Sequence, residues 1–144
     1  MVVAETIYSM ILSQVVEFFD NVMQKLTSSV NEVIKANGKN VEIDKTTILT
    51  YIIEKNYTLS REVVKQHIDK FLSKPGVKPL LRKFYDKIFT VQNISNFVKD
   101  MILELVKKDP AYAVVIQKLG DRFVEWIVSN VAIVVDVIRE EVNP

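Results

Sequence analysis

The stretch FVEWIVSNVAIVVDVI, residues 123–138, decides the fold. On propensity alone its second half, VAIVVDVI, suits a strand, because β-branched side chains pack well on a pleated surface. No turn signal lies on either side, however, and the chain offers no partner strands. Wound as a helix, the stretch gathers Glu125, Ser129, Asn130 and Asp136 into a narrow polar stripe and leaves the rest apolar. A helix that is apolar nearly all round must be buried on most sides. Residues 123–138 are therefore expected to form the central helix of the fold, or to make a subunit interface. Glu125, Asn130 and Asp136 also cut the run too often for a membrane span, so no membrane is expected as a partner.

Working outward, 3 Gly and 4 Pro in 144 residues leave few breakers, which implies a small number of long helices. From Ala4 to Ala36, Ile7, Ile11, Val15, Phe18, Val22, Leu26, Val30 and Val33 recur at three or four, one face of a long amphipathic helix. Asn37–Gly38 ends it, and the short alternating KNVEID, residues 39–44, reads as an extended connector in preference to one edge strand. Asp44 or Thr46 caps a second helix, with Ile48, Tyr51, Ile52 and Tyr57 expected inward. Ser60 caps a third, with Val64, Ile68, Phe71 and Leu72 inward, and KPGVKP, residues 74–79, breaks it. Leu80, Leu81, Phe84, Tyr85 and Ile88 give the fourth its inner face. A fifth runs from Asn93 to Lys108, and Asp109–Pro110 starts a sixth that continues to about Val142 with a bend at Gly120. The expectation is an all-α, single-domain bundle over 1–144, of five to six helices, with a long N-terminal helix and a largely buried C-terminal one.

Composition narrows the function classes. A hydrophobic content of 49% with 26% charged residues is that of a globular chain. The absence of cysteine removes disulfides, thiolate metal sites and a cysteine nucleophile. His67 is the only histidine, too few for a zinc site without cysteine, and no pocket signal accompanies it as a haem ligand; it reads as a surface histidine. Glu125 and Asp136 are eleven positions apart, about 16 Å along a helix, too far for an acid/base pair. Gly38, Gly76 and Gly120 are isolated, so there is no phosphate loop. Neither enzymatic activity nor a cofactor or metal is expected. The N-terminus lacks a basic signal-peptide region, and a cytoplasmic location is expected. Abundant Val and Ile without cysteine resemble a thermophile's composition.

Net charge is +1 but unevenly spread. Residues 1–34 set Lys25 against Glu5, Glu17, Asp20 and Glu32, whereas residues 65–87 set seven positive side chains against Asp69 and Asp86. Arg61, Lys65, Lys70, Lys74, Lys78, Arg82, Lys83 and Lys87 are the candidate contacts to nucleic acid or an acidic protein surface, since phosphate contacts from such a cluster add salt-dependent affinity. The competing reading is a solubilising face balanced by acidic termini nearby in space. Residues 46–71 also resemble a helix-turn-helix in outline, with Arg61, Glu62, Lys65 and Gln66 outward, although the turn lacks glycine. The expected function is a small non-enzymatic interaction or regulatory protein. Alternatives are a homo-oligomeric structural or assembly protein hiding Phe19, Trp126 and Val134 between subunits, a helix-turn-helix DNA-binding protein, and a carrier of an apolar ligand.

Overall fold

The computed structural model describes residues 2–142, and over them the chain is all-helical. Seven helices run in order: α1 Val2–Ala36, α2 Lys45–Glu54, α3 Arg61–Leu72, α4 Val77–Ile88, α5 Val91–Lys108, α6 Pro110–Leu119 and α7 Asp121–Val142. The last is central: α2, α3, α4, α5 and α6 all pack on it, and α1 closes the bundle against α2, α4 and α5. Phe123, Ile127, Val131, Val134, Val137, Ile138 and Val142 are buried along α7, as its nearly all-round apolar surface requires.

Local signals explain the helix starts. Asp44, Ser60 and Thr90 are extended residues whose side chains accept the backbone N–H three positions on, at Thr47, Val63 and Asn93. The Thr90 cap starts α5 at Val91 rather than at Asn93. Asp109 accepts from the Ala111 amide, with Pro110 at the first helical position. The expected sixth helix is two helices, which raises the number to seven. Gly120 adopts φ 54, ψ −121, a conformation closed to residues with a Cβ, and the helical path breaks there rather than bending.

Two side chains of α7 hold the segment between α2 and α3. The Trp126 Nε1–H donates to the Tyr57 carbonyl at 2.6 Å, and Asn130 Oδ1 accepts the Leu59 amide at 2.8 Å. Asn130 Nδ2 donates to the Trp126 carbonyl at 2.8 Å, so this fully buried amide is satisfied. On α1, Asn31 grips the connector: its amide nitrogen donates to the Ile43 carbonyl at 2.8 Å and its oxygen accepts the Ile43 amide at 2.7 Å.

Several inward assignments need correction. Tyr51 and Tyr57 lie at the surface, edge to face with each other, because Trp126 pulls the Tyr57 backbone, not its ring, onto α7. On α1 the buried set is Ile7, Ile11, Val15, Val16, Phe19 and Met23, whereas Leu26 and Val33 are 38% and 62% exposed. The 35 residues of α1 span about 52 Å, more than the bundle beneath them can cover. Leu80 is exposed at the start of α4, and Phe84 is half-buried. Phe19, Trp126 and Val134, expected between subunits, are at most 4% exposed within a single chain. Phe19 and Trp126 meet edge to face at 5.1 Å, so all three belong to the intrachain core and offer nothing to a second subunit.

Candidate binding groove

The eight basic candidates do not form one patch. Four surround the C-terminal end of α7. Arg61 pairs with Glu140, and Arg82 Nε donates to the Val142 carbonyl at 3.0 Å. Lys65 and Lys78 flank Glu141, whose carboxyl hydrogen-bonds Asp69 and is pushed above its usual range by that acidic neighbour. The free carbonyls and partial negative charge at the end of a helix add to the acidic side chains there. Lys83 lies over the Phe84 ring, and Lys87 borders a surface hollow with Glu5, Tyr8 and Asp100.

Lys70 and Lys74 face elsewhere. With Lys25 of α1 they rim a groove of about 690 Å³ between α1 and α3. Gln14, Asn21 and Gln66 add amides to its walls, Glu17 is its one acid, and Phe18, Val22, Val63 and Phe71 supply apolar surface. None of the three lysines takes part in an ion pair among the described residues. Phe18 and His67 stack across the two helices at 4.3 Å with their planes 16° apart, which ties α3 to α1 at this point.

His67, read from sequence as a plain surface residue, is half-buried in this stack. Its Nε2 is enclosed and has no hydrogen-bond partner. Burial, and then the neighbouring charge of Lys70, lower its pKa below the ordinary histidine value; Glu17 opposes them, and Lys74 adds a smaller lowering. The imidazole is therefore neutral at pH 7, and the groove's positive charge comes from its lysines.

The other elements carry less. α3 packs on α7 and α4, whereas α2 packs on α6, α1 and α7, so the two do not form the packed pair of a helix-turn-helix. Arg61, at the head of the would-be recognition helix, is engaged by Glu140. An apolar cavity lined by residues including Tyr8, Phe97 and Ile138 measures about 10 Å³, the space of one water and not of an apolar ligand. No helix among the described residues is long and apolar enough to cross a membrane.

Sequence reading missed one polar cluster altogether. Lys45 Nζ lies 2.6 Å from Asp20 Oδ1 and 2.8 Å from Asp109 Oδ2, and the Tyr112 hydroxyl donates to the same Asp20 oxygen at 2.7 Å. Burial and the Asp20 carboxylate push the Tyr112 pKa well above the tyrosine range. Burial would lower the Lys45 pKa, but hydrogen bonds to Asp109 and Asp20 reverse that and raise it. Helices α1, α2 and α6 meet at this cluster. Only Asp109 carried a sequence signal, and that signal was for a helix cap.

With this geometry in view, neither a protein-family model, nor a curated protein, nor a solved structure matches the chain.

Proposed function

We propose that the protein is a small non-enzymatic binding protein that takes a single nucleic-acid strand in the α1–α3 groove. The observation that carries this reading is the set of three lysines, Lys25, Lys70 and Lys74, left without ion pairs around a groove with an apolar floor. Cations that track a backbone, together with apolar or aromatic surface for the bases, are the ingredients of sequence-tolerant single-strand binding. The narrower groove contact replaces the full 61–87 segment, because the charges of Arg61, Lys65, Lys78 and Arg82 are already answered by α7.

Fluorescence anisotropy with labelled single strands, duplex and polyglutamate at two salt concentrations tests the reading. Three phosphate contacts to a single strand give a slope of log K against log salt of about −2. Affinity then falls about twenty-fold between roughly 50 and 200 mM salt. Lys70→Glu with Lys74→Glu is expected to abolish binding at unchanged melting temperature. Binding that survives this double reversal overturns the groove assignment. Binding of polyglutamate but of no nucleic acid overturns the strand and makes an acidic protein surface the partner.

A further inference from the structure

We propose that His67 couples strand binding in the α1–α3 groove to the uptake of a proton from solvent, so that the protein grips its ligand more tightly in mildly acidic solution. This regulation rests on the single-strand reading above. His67 is the chain's one histidine, and histidine is the side chain whose ordinary titration falls between about pH 5 and 8. The ring sits where the two walls of the groove meet, stacked on Phe18 of α1 at 4.3 Å. Gln66, Lys70 and Phe71 of its own helix, and Lys74 just beyond it, line the same groove.

Two features of the free protein oppose a charge on this ring. Its Nε2 is enclosed without a hydrogen-bond partner, so an imidazolium held in the stack buries an N–H that has no acceptor. Lys70 and Lys74 also stand close enough to repel a positive ring, whereas Glu17, from the α1 wall, attracts it. The other charges around α3 are turned away. Arg61, Lys65 and Asp69 lie on a different side of the helix, where Glu140 and Glu141 of α7 and Lys78 of α4 meet them.

A strand in the groove removes the second of these. Phosphates that answer Lys70 and Lys74 cancel the repulsion those ammoniums exert on His67, and they bring negative charge beside the ring. Binding therefore draws a proton onto His67, and by reciprocity a proton on His67 favours binding by the same factor. The sign follows from the two titrations. The bound ring takes its proton at higher pH than the free one, so affinity rises as pH falls from the bound value to the free value and then levels off. Coupling of this kind is about fivefold, the lower end of what links two sites.

NMR titration of the His67 Cε1–H reads the coupling directly, because the chain has one histidine signal. It is run on the free protein and on its complex with oligothymidylate, whose bases do not titrate over this range, with anisotropy giving the affinity at each pH. The expected results are an upward move of the His67 titration in the complex, and binding about fivefold tighter at about pH 5.5 than at about pH 7.5. His67→Phe, which keeps a ring against Phe18, should lose that pH dependence. Lys70→Gln with Lys74→Gln, measured without any strand, should move the free His67 titration upward, because the repelling charges are gone. A complex in which His67 titrates as in the free protein overturns the proposal and leaves the groove reading standing. So does a pH dependence that His67→Phe retains, or a free titration indifferent to the lysine variant. Failure of oligothymidylate to bind at any pH overturns the groove reading, and this inference with it.

Discussion

Replacing Lys45 with Met isolates the energetics of the ionic cluster that joins α1, α2 and α6. The Lys45 side chain is 10% exposed, that of Asp20 14% and that of Asp109 30%, and both oxygens lie within 2.8 Å of Nζ. Truncating one partner of a buried ion pair costs about 3–5 kcal/mol, because the charge left behind has lost its counterion. Here Asp20 keeps the Tyr112 hydroxyl and Asp109 keeps the Ala111 amide and some solvent, which places the loss near the lower bound, about 3 kcal/mol. For a chain of this size that lowers the melting temperature by about 10 °C. Urea and thermal unfolding measure it. The control is the triple variant Lys45→Met, Asp20→Asn, Asp109→Asn, which removes the stranded charges and should recover at least half of the loss. The pH dependence gives a second check. Burial would raise the Asp109 pKa, yet the Lys45 ammonium and the Ala111 amide hold it below the usual carboxylate range. A lowered carboxylate stabilises the fold above its ordinary pKa, and that contribution disappears as pH falls through the lowered value. Lys45, with its pKa raised, contributes fully below the ordinary lysine value and loses its contribution only as pH climbs through the raised one. Wild-type protein should therefore keep a plateau across neutral pH with an acid limb that Lys45→Met flattens. A loss below about 1 kcal/mol, or a triple variant no more stable than the single one, would refute the reasoning.

His67→Phe keeps a ring against Phe18 and removes the enclosed Nε2, so it should stabilise the fold by about 1 kcal/mol in urea unfolding. Because the folded His67 resists protonation, wild-type stability falls as pH drops from the ordinary histidine value through the lowered one, and the variant should lose that limb. Asn130→Ala leaves the Leu59 amide buried without an acceptor and should cost about 3 kcal/mol by chemical denaturation, with native-state hydrogen exchange at residues 56–60 accelerated most. Gly120→Ala meets no atom within 4 Å of the new Cβ, so its cost is that of the backbone conformation alone, about 1–3 kcal/mol, read as a shift in urea midpoint at constant slope.

The helical architecture was legible because periodicity and caps agree along most of the chain. Ser60, Asp109–Pro110 and the all-round apolar surface of 123–138 each dictate a local structure that tertiary packing then uses. What periodicity cannot convey is where the bundle runs out. Leu26 and Val33 carry the same helical phase as Phe19, and only the length of the neighbouring helices leaves them uncovered. Tyr51 and Tyr57 failed for a related reason, since a hydroxyl-bearing ring can lie flat on the surface while a neighbour's backbone takes the buried contact. The Lys45 cluster was invisible because its members come from positions 20, 45, 109 and 112, and pairwise charge patterns along one helix do not reach so far.

The basic segment teaches the more general point about charge runs. Counted along the chain, residues 70–85 contain no acid, which invites an anionic partner from outside. Counted in space, α7 ends with Glu140 and Glu141 among Arg61, Lys65, Lys78 and Arg82. A signal for this was present: acidic residues in the last turn oppose the helix dipole, so a helix ending Arg-Glu-Glu calls for cations supplied by its neighbours. Arg82, reaching the Val142 carbonyl, and Arg61, reaching Glu140, answer that need from α4 and α3. Once those charges are assigned, the positive residues of the segment that border the groove are Lys70, in the last turn of α3, and Lys74, four positions on in the turn that follows it. The end of the central helix thus decides which part of the basic segment is free to meet a partner.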